Sequence, residues 1–124
     1  MSPTVVSEVH EGATKKGDVR NSASLAAILA VKKTPLSLPH CHPIPIEGCN
    51  VEWQEVENGL KCVVTVSTTS KTGVEMEALC GVSTALLCAW DMLKPILKDS
   101  SGQYPDTKIS DITVISKLKI STEN

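Results

Sequence analysis

The strongest constraint on the fold is a long apolar run with helical spacing that begins near Val74 and continues into the 90s. Its large apolar residues lie around nearly the whole helix circumference, which predicts a central helix covered on most sides. Gly81 and Ala85 are small enough to let another element approach it closely. Pro95 should kink or end the helix, because proline lacks the backbone N–H donor. The rest of the chain must be arranged around this helix.

Charged residues lie at both ends of the same helix. Glu75 and Glu77 flank Met76 at its start, where the helix dipole favours acids, and Asp91 and Lys94 are spaced for an intrahelical ion pair near its end. Glu77 and Asp91 lie about 21 Å apart along the axis and within roughly 40° in azimuth. They face the same way but cannot reach one small group within a chain. If both serve one active site, we expect that site to be built across a subunit interface.

The N-terminal part of the chain divides into two segments. Residues 1–15 are polar and aperiodic, and they predict a flexible tail before a single domain spanning residues 16–124. An amphipathic helix is predicted from Asp18 to Lys33, with Asp18 as its N-cap and with Leu25 and Leu29 on its apolar face. This helix should end before Pro35, since the residue preceding a proline resists helical geometry.

Strand patterns occupy the middle and the end of the chain. Cys49–Val56 and Leu60–Thr68 predict two strands, and Asn58-Gly59 between them is a strong hairpin signal. A final strand is predicted from Ile109 to Leu118. The order helix, strand, strand, helix, strand indicates an α+β fold with helices on one face of an antiparallel sheet.

Composition excludes several classes of function. The formal charge is −2 and the aromatic residues are two tryptophans and one tyrosine, so neither a nucleic-acid surface nor a membrane-binding surface is expected. Five cysteines without a CxxC motif indicate a reducing, cytoplasmic environment. The N-terminal residues have no features of a signal peptide, and no transmembrane span is expected.

A proline-rich loop holds two histidines. Pro35–Pro45 contains four prolines, so the segment should be extended and stiff, with no helix. His40 and His42 should project to one side and Cys41 to the other. The loop could be a metal site, a proton-transfer site or a shaped turn. A zinc site would need at least one further ligand, and the spacing reveals none.

A basic segment precedes the first predicted helix. Lys15, Lys16 and Gly17 lie before Asp18, and cations beside free helix N–H groups suit a phosphate. Lysine pairs in loops are more often simply solvated.

Five motifs occur together in one order: Lys16-Gly-Asp-Val19, Ala30-Val-Lys-Lys-Thr-Pro35, Cys41-His-Pro-Ile-Pro45, Lys71-Thr-Gly-Val-Glu-Met-Glu-Ala-Leu79 and Asp91-Met-Leu-Lys94. With them the chain closely resembles the MoaC family of cyclic pyranopterin monophosphate synthases, which act in molybdenum cofactor biosynthesis. The resemblance runs from about Lys16 to Lys117.

The resemblance implies a lyase with a ferredoxin-like α/β sandwich, assembled as a homohexamer (a trimer of dimers) with active sites at subunit interfaces. Its substrate would be (8S)-3′,8-cyclo-7,8-dihydroguanosine 5′-triphosphate, which it would convert to cyclic pyranopterin monophosphate and diphosphate without a cofactor or metal. By position, the binding residues are His40, Cys41, His42, Met76 and Glu77. Glu75 would help them to position the substrate.

The same resemblance makes Asp91 the catalytic aspartate and makes Lys94 and Lys16 the essential lysines. Asp91 and Lys94 would form a proton-transfer pair, with Lys94 as the acid because a neighbouring carboxylate strengthens its hold on its proton. His42 and Lys16 would interact with the phosphates or the leaving group.

Two other functions stay open. A non-catalytic or weakly active member that binds a pterin or nucleotide is suggested by Ser24, where the family has an arginine, and by the altered termini. Lys117 and Lys119 replace the family's glycine- and lysine-rich C-terminal loop and could take over its role. A metal-dependent hydrolase is more remote and predicts zinc on His40 and His42.

Overall fold

A computed structural model describes residues 1–10 and 17–119 of the chain. Its elements, in order, are α1 (Pro3–His10), α2 (Val19–Lys32), α3 (Thr34–Ser37), β1 (Gly48–Val56), β2 (Gly59–Ser67) and α4 (Glu75–Leu97). β1 and β2 form an antiparallel sheet against which α2 and α4 pack. The α+β class is therefore confirmed. The ferredoxin-like arrangement stays a prediction, because the sheet in the described residues has two strands.

The start of α2 follows the predicted local chemistry. The Asp18 carboxylate accepts hydrogen bonds from the backbone N–H groups of Arg20 and Asn21, at 3.0 and 3.3 Å, so Asp18 is the N-cap. Gly17 precedes it with φ +100°, a left-handed conformation that glycine adopts without steric cost. The helix ends at Lys32, close to the predicted boundary.

The buried face of α2 is the opposite of the one that the sequence predicted. Val19, Ala23, Ala27 and Val31 form the buried stripe, whereas Leu25 and Leu29 are 59% and 47% exposed. The reason is the size of the residues, because a stripe rich in alanine lets α2 approach α4 more closely than a leucine face would.

Close helix packing also explains Gly81 of α4. A Cβ atom at Gly81 would lie 2.7 Å from Val31 Cγ2, 3.3 Å from Val64 Cγ1 and 3.4 Å from the Ala27 carbonyl oxygen. The predicted close approach is therefore confirmed at Gly81, and Ala85 is fully buried. This close approach places α4 against both α2 and β2, and the core lies between these three elements.

The hairpin is present, with its turn one residue earlier than expected. Val56 pairs with Gly59, so Glu57 and Asn58 form the two-residue loop and Gly59 belongs to β2. Asn58 adopts φ +58°, a conformation that asparagine tolerates better than most residues. Leu60, Cys62 and Val64, which alternate along β2, pack against the core.

Helix α4 continues past Pro95 to Leu97, so the proline does not end it there. Pro95 lies in the last turn, where the loss of one N–H donor affects little of the helix. The buried residues of α4 form one stripe (Glu77, Gly81, Ala85, Ala89, Met92 and Leu93), whereas Leu87 is 61% exposed. Within the described chain the helix is therefore covered on one side, not on most sides as predicted.

The length and apolar composition of α4 would also suit a membrane span. A core helix of a soluble protein has the same properties. The packing of α4 against α2 and β2 and its buried stripe agree with that simpler explanation.

Two terminal expectations differ from the structure. Pro3–His10, expected to lie in a polar tail, is helical, with Val5, Val6 and Val9 buried against the core. A short helix of this kind is stabilised mainly by packing, which its sequence does not reveal. Ile109–Leu118, expected to be a strand, has no strand partner among the described residues, and Ile115 and Leu118 are 71% and 86% exposed. Residues 11–15 of the expected tail lie outside the described residues.

Candidate active site

The proline-rich loop and the first turn of α4 meet around one cavity of about 470 Å³. Its lining combines the loop with the residues that open the helix: Leu38, Pro39, His40, Cys41, His42, Ile44, Thr72, Gly73, Met76 and Glu77. Five of the six residues predicted to bind substrate are among them, brought together from two distant segments of the chain, residues 40–42 and 76–77. The sixth, Glu75, lies beside the cavity.

The loop is held by hydrogen bonds at the end of α2. Thr34 is fully buried, and its hydroxyl donates to the carbonyl oxygens of Ala30 and Val31 at 3.1 and 3.0 Å. Thr34–Ser37 then forms one helical turn, which corrects the expectation that no helix fits this segment. Pro35 lies at the start of that turn, where proline's fixed φ is favourable and its missing N–H is not needed.

After this turn the loop presents its side chains in two directions. The Cys41 N–H donates to the Leu38 carbonyl at 3.0 Å and fixes the bend that precedes Cys-His-Pro. His40 and His42 are exposed on the cavity lining, whereas Cys41 is partly buried and contacts α4. The exposed histidines are therefore accessible to a ligand.

Glu77 is the buried carboxylate of the cavity. It is 2% exposed, and its Oε2 accepts a hydrogen bond from the Cys41 thiol, with 3.6 Å between Sγ and Oε2. The pKa of the Cys41 thiol is raised, first by the loss of solvation and then by the negative charge of Glu77. Cys41 therefore stays protonated near neutral pH and acts as a donor to the carboxylate.

Glu75 faces a lysine of the C-terminal segment. Lys117 Nζ lies 3.2 Å from Glu75 Oε1, while Glu75 Oε2 is shielded from solvent without a hydrogen-bond partner in the described residues. The pKa of Glu75 is lowered, first by its own backbone N–H and then by Lys117. A side chain at Gly73 would collide with this pair, so the glycine leaves room for the lysine beside the cavity.

Asp91 and Lys94 lie outside this cavity lining. Lys94 Nζ is 2.8 Å from Asp91 Oδ1, and the two side chains are 42% and 65% exposed. The hydrogen bond and charge of Asp91 raise the pKa of Lys94, so the ammonium form is favoured. This arrangement agrees with the helix spacing, which places the two ends of α4 too far apart to serve one small ligand within one chain.

Lys16 and its neighbour Lys15 lie outside the described residues. In residues 1–10 and 17–119, no group of three or more His, Cys, Asp or Glu side chains is placed to hold a metal ion. Thr72 and Gly73 of the cavity lining were not predicted individually, although both belong to the Lys71–Leu79 motif.

Comparison with known proteins agrees with the family resemblance of the sequence motifs. Residues 1–119 match the model of a family described as the MoaC family. The chain is 49% identical to a probable cyclic pyranopterin monophosphate synthase of Methanospirillum hungatei, over 96% of this chain and 76% of the relative. The identity is 48% with the protein of that name from Thermococcus kodakarensis, over the same shares. It is 52% with the one from Aeropyrum pernix, over 92% of this chain and 78% of the relative.

Proposed function

The chain belongs to the MoaC family, and we propose that it is a cyclic pyranopterin monophosphate synthase in molybdenum cofactor biosynthesis. The reaction would convert (8S)-3′,8-cyclo-7,8-dihydroguanosine 5′-triphosphate to cyclic pyranopterin monophosphate and diphosphate. The observation that carries this proposal is the meeting of His40, His42, Met76 and Glu77 at one cavity, in a chain about half identical to relatives of that name.

The cavity suits the base and sugar end of this substrate. Its lining is mainly apolar and also includes the two exposed histidines and the buried Glu77 carboxylate. A pterin or guanine ring presents N–H donors that a carboxylate can accept, while apolar walls cover its faces. We propose that Met76 and Glu77 contact the ring of the substrate. The adjoining wall of the binding site would be formed by His40, Cys41 and His42. Glu75 would support the site from the start of α4.

Proton transfer is assigned to the other end of α4. Opening and re-forming rings requires acids and bases held at fixed positions. The raised pKa of Lys94 keeps its proton available near neutral pH, so Lys94 would donate it while Asp91 orients the ammonium group. His42 and Lys16 would meet the charge that develops when diphosphate leaves.

Because the cavity and the Asp91–Lys94 pair lie at different ends of one helix, we propose that each active site combines the cavity of one subunit with the pair of another. A trimer of dimers would provide such sites. Exposed leucines support self-association: Leu25 and Leu29 on α2, Leu36 on α3 and Leu87 on α4 are between 47% and 84% exposed. Leu25 and Leu29 are four residues apart and so lie on one face of α2, and adjacent exposed apolar residues commonly mark an interface.

The five cysteines are all free thiols and all partly buried. This state suits a reducing compartment, and we propose a cytoplasmic location.

The test is incubation of the purified protein with the cyclised nucleotide, followed by assays for diphosphate and the pterin product. Wild-type protein should release both in equal amounts, and Asp91→Asn should release neither at a comparable rate. Glu52→Gln, which removes an exposed charge on β1, is the matched control and should retain wild-type turnover. Absence of product from correctly assembled wild type would reject the lyase. Tight binding of the substrate without turnover would instead support the non-catalytic alternative favoured by Ser24.

A further inference from the structure

We propose that the Cys41 thiol is a positioning group that acts through Glu77, in addition to the place of Cys41 in the cavity wall. The proposal rests on the function proposed above, because it concerns how the same cavity holds its carboxylate. It starts from the contact between a thiol in the proline-rich loop and a carboxylate 36 residues later in the chain.

A buried carboxylate needs a donor. Glu77 is 2% exposed in the first turn of α4, and leaving a charge of this kind without partners in a protein interior is costly. In the described residues, the side-chain hydrogen bond to its Oε2 comes from Cys41 Sγ, at a distance normal for sulfur. The thiol therefore determines the direction in which this oxygen points.

The backbone fixes the thiol in turn. Cys41 follows a bend closed by the hydrogen bond from its N–H to the Leu38 carbonyl, and the chain before that bend is anchored by the buried Thr34. The loop can therefore hold the thiol against α4 without help from a ligand. A nucleophilic role is disfavoured, since burial and Glu77 raise the pKa of Cys41 and so lower its thiolate content.

The first experiment needs no substrate. Alkylation of Cys41 by iodoacetamide at fixed pH is followed by peptide mass spectrometry in wild type and in Glu77→Gln. Removing the neighbouring negative charge should lower the thiol pKa and speed alkylation of Cys41 by about 3- to 10-fold. Cys49, on β1 and outside the cavity lining, is the internal control and should react equally in both proteins. An unchanged rate at Cys41 would overturn the contact.

The second experiment is a double-mutant cycle with the proposed substrate. Cys41→Ala should raise KM by about 2- to 10-fold, the usual effect of losing one hydrogen bond, with a smaller change in kcat. Cys41→Ser keeps a donor and should restore KM toward the wild-type value. In a Glu77→Ala background, which removes the acceptor, Cys41→Ala should have a smaller effect than in wild type, because the thiol acts through Glu77.

The outcomes separate the two proposals. Additive effects of the two substitutions would show that the Cys41 thiol acts independently of Glu77, and they would overturn the positioning role. A wild-type enzyme without turnover would reject the proposed function, while the alkylation comparison would still decide whether Cys41 and Glu77 interact.

Discussion

The indole N–H of Trp53 donates a hydrogen bond of 2.8 Å to the Ser24 hydroxyl, which ties β1 to α2. Ser24 is the position where the family resemblance leads one to expect an arginine. In this chain the serine has a structural partner, and its contact connects the sheet with the helix that packs against α4.

Replacing Ser24 by alanine should destabilise the fold. The Trp53 N–H would lose its acceptor in a partly buried position, and the expected loss is about 1 kcal/mol in the free energy of unfolding. Urea denaturation followed by Trp fluorescence measures it. Ser22→Ala, at an exposed position of the same helix, gives the same gain in helix propensity without the lost contact. Equal stability of the two variants would mean that the hydrogen bond contributes nothing.

Gly81→Ala should weaken the packing of α4. The new methyl group would meet Val31, Val64 and the Ala27 carbonyl, at distances of 2.7 to 3.4 Å. Overpacking costs about 1–3 kcal/mol and outweighs the gain of up to about 1 kcal/mol in helix propensity. Thermal unfolding should show a lower Tm. Adding Val31→Ala removes the closest contact, so the double variant should lose less stability than the sum of the single variants.

Leu25→Glu combined with Leu29→Glu should disrupt self-association without unfolding the subunit. Both side chains are exposed on the face of α2 turned away from α4, so the charges stay in water in the monomer but would be buried in an interface. Light scattering should give a smaller mass and circular dichroism an unchanged helix content. Ser22→Glu is the control for added charge. A double variant of unchanged mass would place the subunit interface elsewhere.

The Cys62 thiol should make the free energy of unfolding depend on pH in the alkaline range. Burial raises its pKa from 9.0 to about 11 in the folded protein. Between these values the unfolded chain releases the proton while the folded chain retains it, so the free energy of unfolding falls as pH rises from about 9 to about 11. Cys62→Ala should have a shallower decline over this range in urea titrations. The same slope in both proteins would contradict the assignment.

Asp91→Asn should shift the alkaline limb of the pH–rate profile. The hydrogen bond and charge of Asp91 raise the pKa of Lys94, and the substitution removes the charge. If Lys94 is the acid, activity falls when it loses its proton, so the residual activity of the variant should decline at a lower pH than that of wild type. The measurement is kcat against pH. A limb at the same pH in both proteins would exclude Lys94 as the titrating group.

Local sequence determined much of this protein. The Asp18 N-cap, the α2 boundary near Lys32 and the β1–β2 hairpin all follow from hydrogen bonds and turn chemistry within a few residues. The start of α4 follows from the helical spacing of its apolar residues. The motifs that reveal the family are also short stretches of the chain. Local sequence also determines the separation of Glu77 from Asp91, because the rise per residue of an α-helix is constant.

The tertiary structure decided the features that depend on contacts between distant parts of the chain. Which face of α2 is buried depends on the close fit of Ala27 and Val31 against Gly81, a choice that apolar periodicity alone cannot make. The burial of the N-terminal valines and the exposed C-terminal segment likewise depend on packing and strand pairing at long range. The contact of Cys41 with Glu77 arises when the loop after α2 closes over the start of α4. Sequence spacing specifies local hydrogen bonds, whereas long-range contacts depend on the shapes of surfaces that meet only in the folded chain.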